Sequence, residues 1–170
     1  HVRLAAQVDD HIRTPDATAW TTIARASADD LRAAAKYAIV ERSATAGRFV
    51  SDLYWPWCLG GHLAELRSWA NATLSAERDA RVQARLLRVL ASTALAQGDT
   101  TVAVEAAHRQ LDAAQALPDA ELAALAENLL GMSAWARGDY SAAGTHHRAA
   151  LSSVRESDRP WTLALITALA

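Results

Sequence analysis

Leu130-Gly131-Met132-Ser133-Ala134-Trp135-Ala136-Arg137-Gly138-Asp139-Tyr140-Ser141-Ala142-Ala143 decides how this chain is read. Helix-forming residues flank Gly138 on both sides, with Leu130 and Ala134 on one helical face and a small Ala143 where a second helix would approach. Glycine suits the point between them, because a left-handed helix terminus costs a residue with a Cβ atom about 1 kcal/mol. The same arrangement stands twice upstream, at Gly61-His62-Leu63-Ala64 and Gly98-Asp99-Thr100-Thr101. Eight residues before the three glycines are Leu53, Leu90 and Leu130, and four before are Trp57, Ala94 and Ala134. Five after are Leu66, Ala103 and Ala143, and thirteen after are Leu74, Leu111 and Leu151. A helix, a tight glycine turn and an antiparallel second helix therefore recur three times, which predicts an all-α protein of stacked helix pairs.

Composition agrees. Alanine is the commonest of the 170 residues, hydrophobic residues make up 51%, and Gly 7, Pro 4 and aromatics at 6% are sparse. That balance suits close-packed helices and lacks the β-branched and aromatic residues strands favour. Lys+Arg 17 against Asp+Glu 19 gives a formal charge of −2, so nothing draws the chain as a whole toward nucleic acid or anionic lipid. Lys36 is the sole lysine, which with the alanine excess suggests a GC-rich, actinobacterial coding sequence. Cys58 is the only cysteine, excluding an internal disulfide or a multi-thiolate metal site and agreeing with a reducing, cytoplasmic setting. No apolar run is long enough for a bilayer and no signal stretch opens the chain. It begins at His1, and the run from Trp161 to Ala170 keeps helical character, so the expectation is a fragment of something longer.

The expected units are residues 43–76, 77–117, 118–156 and a truncated fourth from 157. Ser75 or Glu77 opens the charged stretch before the second unit, and Pro118-Asp119 punctuates the next junction. Ser157 or Asp158 can cap a helix whose first turn holds Pro160. Residues 1–42 do not fit the repeat and read as a helical segment, the end of a preceding module or a linker from it. There Thr14-Pro15-Asp16 marks a break, and Ser27 with Asp30 can cap a helix through Leu31, Ala34, Ala35 and Ala38. Pro56 falls inside the first unit's leading helix and should kink it or start its last turns afresh.

The third unit, through Leu130-Gly131, Ala134, Gly138-Asp139-Tyr140, Ala143 and Ala150, resembles the tetratricopeptide repeat. Gln110 in the second unit and Tyr54, Leu66 and Thr73 in the first replace small residues of that pattern. The glycines are 37 and 40 residues apart, against a standard period of about 34. The resemblance implies a right-handed superhelix of antiparallel helix pairs, an α-solenoid. From Asp30-Leu31-Arg32-Ala33-Ala34 through Tyr37-Ala38 to Gly61-His62-Leu63-Ala64-Glu65-Leu66-Arg67-Ser68-Trp69, the chain is also similar to a segment of large bacterial STAND-type ATPase regulators. In SARP-like and LuxR-type members that segment follows an NB-ARC-like module and leads into tetratricopeptide repeats. This chain departs from it at Tyr37, where tryptophan is expected, and at Ala28-Asp29, in place of an acidic-aromatic pair.

What these resemblances imply is a sensory, protein-interaction domain of a transcriptional regulator. It would bind a partner protein, a peptide or a small-molecule inducer and signal to an adjacent ATPase and DNA-binding module. The implied picture has no cofactor, no direct nucleic-acid contact and no membrane, and leaves room for a homo-oligomer. The alternative is a free-standing repeat scaffold that recruits a protein.

In tetratricopeptide scaffolds the leading helices line a concave groove. The set here is Arg48, Ser51, Trp55 and Cys58 from the first unit, Arg85, Arg88 and Ser92 from the second, and Asn128, Met132 and Trp135 from the third. Two arginines a turn apart, with an amide and indoles, could hold a carboxylate or other anion. The plainer reading makes Arg78, Arg81, Arg85 and Arg88 the solvated face of one helix beside Glu77 and Asp79. Trp57 and Trp69 read as core, leaving Trp55 as the indole for a ligand. His146-His147 is a poor chelating pair, since neighbours on a helix point about 100° apart, and His108 is not spaced to help. Cys58 and His62 are spaced as a nucleophile and base could be, yet no orienting acid or oxyanion pocket accompanies them, so no catalytic residue is assigned and an enzyme is not expected.

Overall fold

A computed structural model of the chain describes residues 1–117, 119–155 and 160–169. Among them are eleven α-helices and no strand. The helices are α1 Val2–His11, α2 Ala17–Ala26, α3 Ala28–Val40, α4 Ala46–Asp52, α5 Tyr54–Leu59, α6 Leu63–Leu74, α7 Ala80–Ala96, α8 Thr100–Ala116, α9 Ala120–Ala136, α10 Tyr140–Arg155 and α11 Pro160–Leu169. They gather into two compact units, His1–Arg78 and Asp79–Ala170. Among the described residues no helix is long and apolar enough to cross a membrane.

The three expected turns are present and alike. Gly61, Gly98 and Gly138 have φ of 77°, 79° and 80°. The next amide bonds back five residues each time: His62 to the Trp57 carbonyl at 2.9 Å, Asp99 to Ala94 at 2.9 Å and Asp139 to Ala134 at 3.0 Å. That bond satisfies a helix-end carbonyl and needs a left-handed residue just before it. A Cβ at any of the three glycines would meet nothing within 4 Å, so the backbone conformation alone demands glycine. The face positions Leu53, Leu90, Leu130, Trp57, Ala94, Ala134, Leu66, Ala103 and Ala143 are all buried.

In the first unit α1 packs against α2, α4 and α5, while α3 lies on α4 and α6. Leu31, Phe49, Leu53, Trp57 and Leu66 form its most buried large side chains. The Thr14-Pro15-Asp16 break falls between α1 and α2. The leading helix of the first repeat is two helices meeting at Leu53, and Pro56 is the third residue of α5. A proline there gives up an amide that a first turn would leave unbonded anyway. Ser27 does precede α3, but its side chain makes no capping bond. Its backbone, φ −100° and ψ 7°, continues the last turn of α2 instead of turning extended, so its hydroxyl is not aimed at the first amides of α3.

The second unit is built from the hairpins α7–α8 and α9–α10, with α8 packed on α9, α7 touching α9, and α11 against α9 and α10. Ala84, Ala114 and Leu122 close the α7, α8 and α9 junction, and Ala124, Ala150, Val154 and Ile166 close the far side. Gln110, the departure from the small-residue pattern, is buried and donates from Nε2 to the Leu122 carbonyl at 3.0 Å, tying α8 to α9. Each of the four long helices opens on an aspartate: 79, 99, 119 and 139, twenty residues apart. Asp79 accepts from the Arg81 and Val82 amides at 2.9 and 3.0 Å, Asp99 from Val102 at 3.2 Å, Asp119 from Leu122 at 3.0 Å and Asp139 from Ala142 at 3.0 Å. The cap before α7 is thus Asp79; Ser75 ends α6, and the Glu77 carboxylate accepts from the Arg78 amide. Pro118 and the Ser157 or Asp158 cap lie outside the described residues, while α11 begins at Pro160.

Candidate binding face

Six of the ten candidate groove residues belong to the second unit and four to the first. On α7, Arg85, Arg88 and Ser92 follow at helical spacing and are half-buried. On α9, which α7 touches, Asn128, Met132 and Trp135 also follow at helical spacing. Trp135 is 65% exposed, Met132 is half-buried and Asn128 is buried. Asn128 Nδ2 lies 3.6 Å from Met132 Sδ, and the Asn128 Oδ1 is buried without a hydrogen-bond partner. The Ser92 hydroxyl bonds back to the Arg88 carbonyl, a common use of serine inside a helix. Arg81, one turn before Arg85, pairs with Asp119 at the start of α9.

The first-unit residues are differently disposed. Arg48 is exposed and its Nε lies 3.9 Å from Asp52 Oδ2. Ser51 is buried, with its hydroxyl donating to the Arg48 carbonyl at 2.8 Å. Trp55 packs on the Val8, Ile12 and Ala24 cluster beside Leu4 and Trp20, and meets the Tyr54 ring edge-on at 4.9 Å. Cys58 is half-buried and outside any disulfide. His62 is exposed, its ring 6.0 Å from that of Trp57. Trp57 and Trp69 are both buried, their rings 5.6 Å apart.

A polar cluster around Glu65 was not legible in the sequence. Glu65 on α6 accepts from Arg32 Nε at 2.9 and 3.1 Å and from Trp57 Nε1 at 3.1 Å, with Lys36 Nζ 3.6 Å away. Arg32 also reaches Asp29 at 2.7 Å and sits 5.9 Å above the Trp57 ring. Burial works against the Glu65 carboxylate, but the bonds from Arg32 and Trp57 and the charges of Arg32 and Lys36 outweigh it and hold its pKa below the ordinary 4.5. The bond to Glu65 likewise raises Arg32. Arg32 and Glu65 stand 33 residues apart, so no local spacing announces the pair.

His146 and His147 diverge as neighbours on a helix must. His146 Nδ1 meets Glu127 Oε2 at 2.7 Å, whereas His147 is buried. Among the described residues no three His, Cys, Asp or Glu side chains gather as a metal site would require. Neither protein-family models, nor curated proteins, nor solved structures yield a match to this chain.

Proposed function

We propose that the chain is a tetratricopeptide-like region, its hairpins stacked as a right-handed superhelix, that senses a partner within a multidomain bacterial transcriptional regulator. The partner is a protein, a peptide or a small-molecule inducer, and the neighbouring ATPase and DNA-binding modules lie elsewhere in the same protein. The observation that carries this reading is the repetition of one glycine turn, with the same five-residue return bond, at Gly61, Gly98 and Gly138. Stacked units of this kind expose one face of each leading helix in series, and such surfaces serve recognition. On α7 and α9 that face carries Arg85, Arg88, Ser92, Met132 and Trp135, suited to an anionic or aromatic ligand.

Two measurements test the reading. The coding sequence around this segment should encode an ATPase and a DNA-binding module; a gene without either refutes the regulator. Pull-down with the wild type and an Arg85→Ala, Arg88→Ala double variant tests the face itself. Loss of at least about tenfold in partner recovery is expected for two charge-bearing contacts, and equal recovery removes this face from consideration.

A further inference from the structure

His147 stands nine residues after its turn glycine, where the other hairpins have Ala70 and Ala107, and Gly131 stands seven before it, where they have Tyr54 and Ala91. The two departures answer each other. A Cβ on Gly131 would lie 2.7 Å from Cε1 and 2.9 Å from each nitrogen of the His147 imidazole. The ring therefore lies across the α9 backbone, and it fits because residue 131 has no side chain. His147 is 7% exposed, and its Nδ1 is buried with no hydrogen-bond partner. A bare ring nitrogen is tolerable there, but a proton on it would strand a charged donor without an acceptor.

Among the described residues no carboxylate pairs with the His147 ring. On α9, Glu127 is engaged by His146 at 2.7 Å, and Glu121 accepts from the Thr162 hydroxyl at 2.6 Å. The sequence of α11 contains no ionisable residue. Within one turn of His147, α10 itself brings only His146 and the exposed Arg148. Burial, reinforced by His146, holds the His147 pKa below its ordinary 6.5.

We propose that Gly131 and His147 form a proton-operated latch. The uncharged imidazole closes α10 against α9, and its protonation in mildly acid surroundings loosens that hairpin while leaving α7–α8, which has Ala91 and Ala107 at these places, as it was. Well above pH 6.5 the ring is neutral whether the hairpin is open or closed, and nothing is lost. Below it the open hairpin takes up a proton that the closed one refuses, shifting the balance by up to about tenfold per pH unit until the closed form also protonates.

The test follows the imidazole signal of His147 by NMR in the whole chain, together with amide exchange in α8 and α10 corrected for its intrinsic pH dependence. A midpoint below 6.5, with α10 losing protection relative to α8 by as much as about tenfold per unit as pH falls, is the expected result. In His147→Phe, which keeps a flat ring over Gly131 but cannot protonate, that relative loss should disappear. An ordinary midpoint, or a loss in His147→Phe as large as in the wild type, overturns the latch. Should the variant not fold, the wild-type midpoint and the α10 to α8 comparison decide between the same two outcomes.

Discussion

Glu65, on α6, satisfies two donors and a nearby ammonium from two other helices, α3 and α5, with its side chain 24% exposed. Truncating it leaves the buried Trp57 indole without this acceptor and the half-buried Arg32 guanidinium with Asp29 alone. Glu65→Ala should therefore cost about 2 kcal/mol in urea unfolding, where Ala64→Ser, at an exposed site on the same helix, should cost almost nothing. The sign of the pH effect follows from the lowered pKa: the stabilisation is complete above the ordinary value of 4.5 and is lost as pH falls through the lower folded value. Glu65→Gln should flatten the unfolding profile over that acid range. A profile unchanged by the substitution would mean that the cluster contributes no net stability. None of this could be read from spacing, because the charged residues near Arg32 in sequence are Asp29, Asp30 and Lys36, and Glu65 arrives only when α6 folds back on α3.

Among elements, the four aspartates at 79, 99, 119 and 139 set where each long helix of the second unit begins. Asp119 has two uses, capping α9 and pairing with Arg81 of α7. Its replacement by alanine should cost about 1 kcal/mol through the lost cap, while Asp119→Asn, which keeps a capping oxygen, should lose only the small contribution of an exposed ion pair. Chemical denaturation of the three proteins separates the terms, and equal losses in both variants would assign the effect to the ion pair. The glycine turns were visible in the residues, since a glycine between two helical runs specifies a left-handed exit, whereas the aspartate caps were not read from them. Nor was the missing cap at Ser27, because capping depends on whether the serine backbone is extended, and α2 ends too close to α3 for that.

At the scale of the molecule, the division falls between Arg78 and Asp79, so the first glycine hairpin sits with the N-terminal helices. Each unit has its own buried interior, with Leu31, Phe49 and Trp57 in one and Ala124, Val154 and Ile166 in the other. Separately expressed fragments of residues 1–78 and 79–170 should each keep the helical circular dichroism of their part of the whole. Loss of helix from either fragment would show that its core is insufficient alone. The second unit has the advantage of four long capped helices, whereas α4 and α5 of the first are seven and six residues long and depend on tertiary packing.

The residues alone determined that the chain is helical, where three hairpins turn and which apolar positions beside each turn go inward. Those features follow from φ at single glycines and from side-chain period, both local. Tertiary structure decided the rest: that α4 and α5 part at Leu53, that Gln110 reaches Leu122, that Glu65 gathers Arg32 and Trp57, and that His147 rests on Gly131. Each joins residues from separate helices or depends on how neighbouring helices pack, and such pairings exist only once the hairpins have chosen their neighbours.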